Sequence, residues 1–297
     1  MENKNIVSVA VITYNSAETI IEALNSVSGQ TYKGNIELVI SDDCSTDNTV
    51  SIIKAWLAEN EKYFYSVSLL EAKKNLGITA NINKVSKACS GEFIKYLSGD
   101  DKLYDSHSIS KATQLIGNKS FLFTPPSIFG CVDASNLSKL EIERFNLFSM
   151  ETCEQQLKDV ASCSKKSPKI VGVFFRNKIL AKMGYFDEKY SMMEDYPFMI
   201  RIFRDMRQEC FFSNEILYSY RVRDGVDHEF LFSKRKIEHV KSINMFREDI
   251  ILPLFIQKKW YKLYIITWIK LIFTRLEVSN SYMGKMVFKL RKLLQKF

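Results

Sequence analysis

Residues 92–101 read Glu-Phe-Ile-Lys-Tyr-Leu-Ser-Gly-Asp-Asp, a short apolar run that ends at a glycine and two adjacent carboxylates. Phe93–Leu97 has the composition of a buried strand. Because Asp is disfavoured in strands, a strand that ends in Asp100-Asp101 needs a reason. Two carboxylates at such a strand end could hold a hard divalent cation, which takes oxygen ligands and completes its shell from phosphate and water. A polar turn is the alternative, since Gly-Asp-Asp also suits turns.

Three earlier segments predict strands of the same sheet. Ile6–Ile12 is a nearly continuous apolar run, which is typical of a buried parallel strand, and Ile36–Ser41 is a second run that ends in Asp42-Asp43. Tyr65–Leu70 is a third candidate, and helical patterns separate all of these segments. This alternation predicts an α/β fold with a mostly parallel, Rossmann-like sheet and flanking helices.

The loops that follow these strands do not carry the common phosphate-binding motifs. No G-x-G-x-x-G follows the first strand, and the chain has no G-x-x-x-x-G-K-[ST]. The loops carry Tyr14-Asn15, Asp42-Asp43 and Asp100-Asp101 instead. An aromatic ring, an amide and carboxylates suit a nucleoside better than a bare phosphate. Asp42-Asp43 could also serve only to stabilise the start of the next helix.

Composition and charge argue against a zinc protein and indicate an anionic partner. The 297 residues include six scattered cysteines without a C-x-x-C pair and only three histidines, which argues against a zinc site. The first residues lead directly into a strand, so we expect no signal peptide and a cytoplasmic protein. The net charge of +8 is uneven: residues 234–297 hold 15 basic and 4 acidic residues, whereas residues 1–233 carry a net −3. This asymmetry predicts an anionic partner for the C-terminal region.

The C-terminal region is predicted to be helical. We expect one helix over Lys234–Asp249, a second from about Pro253 through Ile269, and a basic amphipathic helix over Lys285–Phe297. The second helix is too short in its apolar part to span a membrane. The last helix could lie on an anionic membrane surface, or it could pack on the main domain with a solvated basic face.

Several segments in order resemble the family 2 glycosyltransferases of the GT-A fold. The resemblance covers residues 6–225. The segments that carry it are Val7–Asn15, Asp42–Asp47, Asn75-Leu76-Gly77, Ser98-Gly99-Asp100-Asp101 and Gly184–Glu188 followed by Glu194-Asp195.

The resemblance implies an inverting transfer from a nucleoside-diphosphate sugar, usually a UDP-sugar, and roles for individual residues. The nucleotide-binding residues it implies are Thr13, Tyr14, Asn15, Asp42, Asp43, Asn75 and Asp100. Asp100 and Asp101 stand at the D-x-D motif of the family, which binds Mn²⁺ or Mg²⁺. Asp195 matches the catalytic base, and Glu194, Arg221 and Arg223 would contact the diphosphate or the acceptor. The chain departs from the family pattern at Ser98, which replaces the first Asp of D-x-D, and at Arg223, where His is common.

The resemblance also implies an organisation and partners. We expect a catalytic domain over residues 1–230, with a nucleotide-binding half (1–105) and an acceptor half (106–230), and a basic helical tail over 231–297. The implied acceptor is a lipid-linked saccharide in O-antigen or capsule synthesis, with the enzyme at the inner face of the cell membrane. A sugar nucleotidyltransferase is the alternative enzyme, although the loop after the first strand lacks Gly and Lys. A nucleic-acid binder is disfavoured because the basic charge is confined to the tail.

Overall fold

The structure is a computed structural model that describes residues 6–190, 193–222 and 234–278. Two predictions, Arg223 and the helix over 285–297, lie outside the described residues. The chain forms two compact units: Met1–Phe186 with Phe198–Asp224, and Asp187–Pro197 with Gly225–Phe297. The expected functional boundary at residue 230 stays a prediction.

Strands occupy short segments throughout the first unit. The described residues contain β1 (Ile6–Thr13), β2 (Asn35–Asp42), β3 (Ser66–Glu71), β4 (Phe93–Ser98), β5 (Lys102–Leu103), β6 (Phe121–Phe123), β7 (Pro126–Phe129), β8 (Val173–Arg176), β9 (Cys210–Phe212) and β10 (Tyr218–Arg221). Seven of them form one sheet in the order β3-β2-β1-β4-β8-β6-β9. The pairs β3–β2, β2–β1 and β1–β4 are parallel, and β8 runs antiparallel to both of its neighbours. The predicted mostly parallel α/β sheet is therefore confirmed.

Helices alternate with these strands. The described residues contain α1 (Ile20–Ser28), α2 (Thr49–Asn60), α3 (Ile78–Ala88), α4 (Ser108–Ile116), α5 (Ala134–Ser149), α6 (Cys153–Ala161), α7 (Asn177–Met183), α8 (Asp195–Asp205), α9 (Lys234–Phe246), α10 (Leu252–Gln257) and α11 (Tyr261–Val278). Helix α5 was not predicted.

Burial in the core of the first unit explains why the strand sequences are nearly continuous runs of apolar residues. All eight residues of β1 are buried, because the strand lies in the middle of the sheet. Val7, Val9 and Val11 share a buried cluster with Ile20 and Leu24 of α1. Burying one such side chain stabilises the fold by roughly 1.5–3 kcal/mol, so this cluster fixes the position of the strand ends.

A second, three-stranded sheet of order β5-β10-β7 lies in the same unit. Strand β10 is antiparallel to β5 and parallel to β7, with Ser219 opposite Lys102 and Arg221 opposite Phe129. Because β5 begins directly after Asp101, this pairing holds the end of β10 beside the acidic pair.

The second unit contains a helical region that differs from its prediction. A π-helical turn, Arg247–Ile251, follows α9. The single helix expected from Pro253 is wrong: the structure has α10 and α11, separated at Lys259, whose φ of 57° is left-handed and cannot continue a helix. None of the described helices is long and apolar enough to cross a membrane.

Candidate active site

The carboxyl ends of three neighbouring strands bring polar residues to one edge of the large sheet. Thr13 of β1 pairs with Asp42 of β2, and Ile12 pairs with Ser98 of β4. Thr13, Asp42 and Ser98 therefore end adjacent strands at the same level, and the loops that follow leave from one edge. In open α/β sheets this edge is where ligands bind.

Asp42 connects the first two of these loops through Ser45. The Asp42 side chain is 1% exposed. Its Oδ1 accepts a hydrogen bond from Ser45 N (2.8 Å), and its Oδ2 accepts one from Ser45 Oγ (2.5 Å). Asn15 N donates to Ser45 Oγ (2.8 Å), and Asn15 Oδ1 accepts from Thr46 N (2.8 Å). Each carboxylate oxygen can accept a second hydrogen bond, so Asp42 keeps capacity for a ligand donor.

Asp43 and Asn75 also come together, but their partners are backbone groups. The two oxygens of Asp43 accept from the N–H groups of Leu76 and Gly77, both at 2.8 Å. Asn75 Oδ1 accepts from Gly77 N at 3.2 Å. Burial raises the pKa of Asp43, although both N–H groups act to lower it. Asp43 thus anchors the turn before α3, and the nucleotide-binding roles of Asp43 and Asn75 stay predictions.

Thr13 and Gly99 approach each other closely at the same edge. Thr13 Oγ1 is buried and has no hydrogen-bond partner among the described residues. A Cβ atom on Gly99 would lie 2.8 Å from Thr13 Oγ1 and 3.0 Å from Ser16 Oγ. Only glycine fits there without a shift of its neighbours. Tyr14, which follows Thr13, is half-buried.

Asp101 is the most perturbed carboxyl group of this edge. Its side chain is 2% exposed. Asp101 Oδ1 accepts from Arg221 N (2.9 Å), whereas Oδ2 is buried with no hydrogen-bond partner in the described part of the chain. Burial raises the pKa of Asp101 to about 7, with a further contribution from the charge of Asp100. The neighbouring Asp100 is more exposed, and its Oδ1 accepts from Ser98 Oγ at 2.6 Å.

These two carboxyl groups are suited to a divalent cation. A buried oxygen without a partner is costly, and a bound cation would satisfy it. No group of three or more His, Cys, Asp or Glu side chains with metal-binding geometry occurs within the described ranges. A cation held by Asp100 and Asp101 would therefore complete its shell with oxygens of a ligand and water, as Mg²⁺ commonly does.

Arg221, predicted to contact the diphosphate, is held by this acidic edge. Arg221 Nε donates to the carbonyl oxygen of Asp100 (2.8 Å), and its guanidinium forms an ion pair with Glu22 and lies 4.3 Å from the centre of the Phe129 ring. Lys102 also bonds to Glu22, at 2.5 Å, and this bond is the main cause of the lowered pKa of Glu22. Arg221 is thus fixed in place, and its contact with a diphosphate stays a prediction.

Lys95 is a buried charge that the sequence analysis missed. It is 3% exposed, its Nζ donates to the carbonyl oxygen of Val171, and Nζ lies 4.6 Å from the centre of the Tyr218 ring. Burial lowers the pKa of Lys95 to about 7, and the negative charge of Asp101 opposes this shift. A lysine inside the apolar run of β4 was the available signal, because lysine is almost never fully buried without a partner.

A basic cleft, which was also not predicted, lies in the same unit. Its lining includes Arg144, Lys165, Lys166, Lys169 and Tyr218. Lys166 is paired with Asp159 (2.9 Å) and with Glu151, whereas Lys165 and Lys169 are exposed. The positive charge of Lys169 partly offsets the rise that burial causes in the pKa of Asp101. Glu141 also lines the cleft and is paired with Arg144, which leaves Lys165 and Lys169 as the exposed basic residues of the lining.

The remaining predicted residues belong to the second unit or are not described. Asp195 begins α8. Burial raises the pKa of Glu194, whose Oε2 has no hydrogen-bond partner in the described ranges. The catalytic role of Asp195 and the ligand contact of Glu194 stay predictions.

Comparison with known proteins gives one family. A family model described as "Glycosyl transferase family 2" matches residues 8–207. An uncharacterized glycosyltransferase of Rickettsia typhi is 26% identical over 228 residues, which cover 74% of this chain and 65% of that protein. The chain therefore spans slightly less than two thirds of the length of that relative.

Two solved structures show a similar fold. The Staphylococcus aureus TarS fragment 1–349, in complex with UDP-GlcNAc, is 19% identical with a TM-score of 0.57 over 90% of this chain and 81% of that chain. The mannosyltransferase PcManGT from Pyrobaculum calidifontis, in complex with GDP-Man and Mn²⁺, is 16% identical with a TM-score of 0.60 over 98% of this chain and 80% of that chain. The fold is that of GT-A enzymes.

Proposed function

We propose that this chain, which belongs to glycosyl transferase family 2, transfers a sugar from a UDP-sugar to a saccharide acceptor with inversion at the anomeric carbon. The observation that carries the proposal is the shared edge of the sheet at which Thr13 ends β1, Asp42 ends β2 and the Asp100-Asp101 pair follows β4. Thr13 Oγ1 and Asp101 Oδ2 are buried there without a partner in the described residues, which suits groups that a ligand satisfies. The family match favours a glycosyltransferase over a nucleotidyltransferase.

The nucleoside would bind at the first two loops of this edge. Asp42 can accept a further hydrogen bond, so it can take the N–H of a uracil base. Tyr14 offers a ring for stacking, and Asn15 belongs to the hydrogen-bonded connection between the two loops. The UDP-GlcNAc complex of the TarS fragment supports UDP, and the GDP-Man complex of PcManGT makes GDP the nucleotide to test against it.

Asp100 and Asp101 would hold Mn²⁺ or Mg²⁺ together with the diphosphate. Such a cation stabilises the negative charge of the departing diphosphate. Asp101 is kept in place by Arg221 N, and Asp100 by Ser98 Oγ, so Ser98 supports the pair instead of supplying a third carboxylate. The Mn²⁺ complex of PcManGT supports this assignment.

Asp195 would be the catalytic base. The acceptor oxygen forms a bond to the anomeric carbon while the bond from that carbon to the diphosphate oxygen breaks, and the hydroxyl proton passes to the Asp195 carboxylate. A single displacement of this kind inverts the anomeric configuration. Glu194 and Arg223 are the further residues that we propose for acceptor or diphosphate contact, together with Arg221.

The acceptor and its location complete the proposal. We assign a lipid-linked saccharide of O-antigen or capsule synthesis, used at the inner face of the cell membrane, with the basic tail over 231–297 at the anionic lipid surface. The concentration of positive charge in residues 234–297 supports this part. Nucleic acid is not a partner in this proposal.

The donor assignment is tested by titration calorimetry with UDP, GDP and CDP, each with and without Mn²⁺. We expect UDP to bind most tightly and the binding to require the cation. A preference for GDP, or a UDP affinity that does not change when Mn²⁺ is removed, would contradict the assignment. A screen of nucleotide-sugars for hydrolysis or transfer in the presence of Mn²⁺ then identifies the sugar.

The base is tested by Asp195→Asn, which keeps the shape of the side chain and removes its basicity. Turnover should fall by about 10²–10⁴-fold, the usual contribution of general base catalysis, while UDP binding with Mn²⁺ is retained. Glu194→Gln removes the neighbouring carboxylate at the same helix start; because Glu194 is proposed to contact the ligand and not to take the proton, this variant should lose less turnover than Asp195→Asn. If Asp195 only stabilises the start of α8, Asn would serve nearly as well. Near-wild-type turnover in Asp195→Asn, with an unchanged circular dichroism spectrum, would therefore refute the base assignment.

A further inference from the structure

Helix α11 in the second unit exposes a row of large apolar side chains. Tyr261, Ile265, Trp268, Ile269 and Ile272 are all solvent-exposed, with fractional exposures from 38% for Ile272 to 60% for Tyr261. Their spacing of four, three, one and three residues places them on one side of the helix. We call this set the α11 apolar face. Single exposed apolar residues are ordinary, but five on one helix face mark an interaction surface.

The other side of α11 packs within the second unit. Leu271 is 4% exposed, and Thr274 Oγ1 donates to Asn244 Oδ1 of α9 at 2.6 Å. Trp260, which precedes α11, is buried and its ring lies 5.9 Å from that of Phe255 in α10. These contacts fix the rotation of α11, so the apolar face is turned away from α9 and α10.

The charges around the apolar face identify the surface that it fits. Between residues 258 and 275 the sequence has five basic residues and no acidic residue. Lys258, Lys259 and Lys262 are exposed at the start of α11 beside the face, whereas Lys270 lies on the other side of the helix and Arg275 is paired with Glu248. A second copy of the chain would bring further lysines and no acidic residue of this segment to the contact, which disfavours a homodimer through this face. An anionic lipid surface attracts the lysines and accepts the apolar side chains below them.

We propose that the α11 apolar face inserts into the interfacial layer of an anionic phospholipid membrane, with α11 lying in the plane of the surface. Trp and Tyr are the residues most enriched at this depth, and Trp268 and Tyr261 occupy the face together with three isoleucines. The inference rests on the membrane part of the proposed function and deepens it: α11 lies within the 231–297 tail, whose proposed contact with the lipid is electrostatic, and the apolar face of α11 adds insertion into the lipid.

The intrinsic fluorescence of the full-length chain tests the proposal directly. The chain has three tryptophans; Trp56 and Trp260 are 7% and 9% exposed, whereas Trp268 is 49% exposed. Vesicles of phosphatidylcholine and phosphatidylglycerol in equal parts should shift the emission to shorter wavelength. Lipids brominated on their acyl chains should quench it. Trp268→Phe should abolish both changes while vesicle binding in a sedimentation assay is retained.

A double variant that introduces two acidic side chains tests whether the α11 apolar face drives binding. Trp268→Glu with Ile272→Glu should weaken vesicle binding at least tenfold, because two charges would have to enter the interface. Val132→Glu is the control, since Val132 is 97% exposed in the first unit. Unchanged vesicle binding by the double variant would overturn the proposal, as would a wild-type dimer in sedimentation velocity that the double variant converts to monomer.

A third variant separates this proposal from the tail contact. It replaces Lys285, Lys289, Arg291, Lys292 and Lys296 by Gln in the full chain. If it binds vesicles as the wild type does while the α11 double variant does not, the inference stands and the tail contact fails. If the tail variant loses binding and the α11 variant keeps it, the inference fails and the tail contact stands.

Discussion

The two ends of the large sheet differ in whether all of their buried polar atoms have hydrogen-bond partners. Towards the amino ends of β1 and β2, Glu37 is 7% exposed and accepts hydrogen bonds from Ser90 N (2.7 Å), Ser90 Oγ (2.8 Å), Gly91 N (3.3 Å) and Ser8 Oγ. At the carboxyl ends, both oxygens of Asp42 accept hydrogen bonds from Ser45, but Thr13 Oγ1 and Asp101 Oδ2 are buried without a partner in the described residues.

This difference separates a group that serves the fold from groups that serve a ligand. A buried carboxylate whose oxygens are all satisfied stabilises the connection between its neighbours. A buried oxygen without a partner lowers stability, and a protein tolerates that cost where binding satisfies the atom. Substitutions at the two ends should therefore affect different properties of the protein.

The largest expected effect is a loss of stability when Glu37, at the amino ends of the strands, is replaced. Glu37→Ala removes the acceptor of the hydrogen bonds from Ser90 N, Ser90 Oγ and Ser8 Oγ, whereas Gly91 N keeps its bond to Ser8 Oγ at 2.9 Å. We expect the free energy of unfolding to fall by about 3–5 kcal/mol, as for a broken buried network. Urea denaturation measures this loss. A loss below about 1 kcal/mol would show that the network contributes little.

Two glycines allow the same substitution at both ends. In Gly91→Ala the new Cβ would lie 2.8 Å from the carbonyl oxygen of Ile6, whereas in Gly99→Ala it meets the hydroxyl of Thr13 at 2.8 Å. Backbone cannot move aside as a side chain can, so Gly91→Ala should cost about 2–3 kcal/mol of stability and Gly99→Ala about 1 kcal/mol.

Binding of UDP with Mn²⁺ should show the reverse order for the two glycine variants. Gly99→Ala should weaken it, and Gly91→Ala should leave it unchanged in the folded protein. Calorimetry at a temperature where both variants are folded measures this. If Gly91→Ala and Gly99→Ala weakened UDP binding equally, the carboxyl ends of the strands would not be specific to the ligand.

A further expected effect is a pH dependence of cation binding. Burial raises the pKa of Asp101 to about 7, and a cation binds the ionised carboxylate. Below pH 7 the proton competes, so affinity should rise as pH increases towards 7 and then level off. We expect Mn²⁺-dependent UDP binding to be about tenfold weaker at pH 6 than at pH 8. UDP also gains protons as the pH falls, and the variant Asp101→Asn shows how much of the pH dependence comes from UDP. If that variant has the same pH dependence as the wild type, the prediction is contradicted.

The strands and their acidic ends could be predicted because burial on both faces leaves continuous apolar runs that stop abruptly. The second sheet could not, because β5 has two residues and β7 and β10 have four each, too few for a periodic pattern. Helix α5 was missed because only Phe145 and Phe148 of its sixteen residues are buried.

Within the candidate site, residue types were predictable but their partners were not. Asp42 and Asp43 are adjacent in sequence, yet Asp43 is bound by Leu76 and Gly77, which lie more than thirty residues away. Arg221 donates a hydrogen bond to Glu22, which lies 199 residues away in the sequence. Such contacts depend on tertiary packing, which no local pattern records.

The most direct test of the difference between the two ends is a crossed measurement on two variants that each replace a carboxylate by an amide, Glu37→Gln and Asp101→Asn. Both the free energy of unfolding and the affinity for UDP with Mn²⁺ are measured for each variant. We predict that Glu37→Gln loses stability and keeps affinity, whereas Asp101→Asn keeps or gains stability and loses at least about tenfold in affinity, or about 1.4 kcal/mol. Loss of stability without loss of affinity in Asp101→Asn would contradict the assignment of the carboxyl end to the ligand.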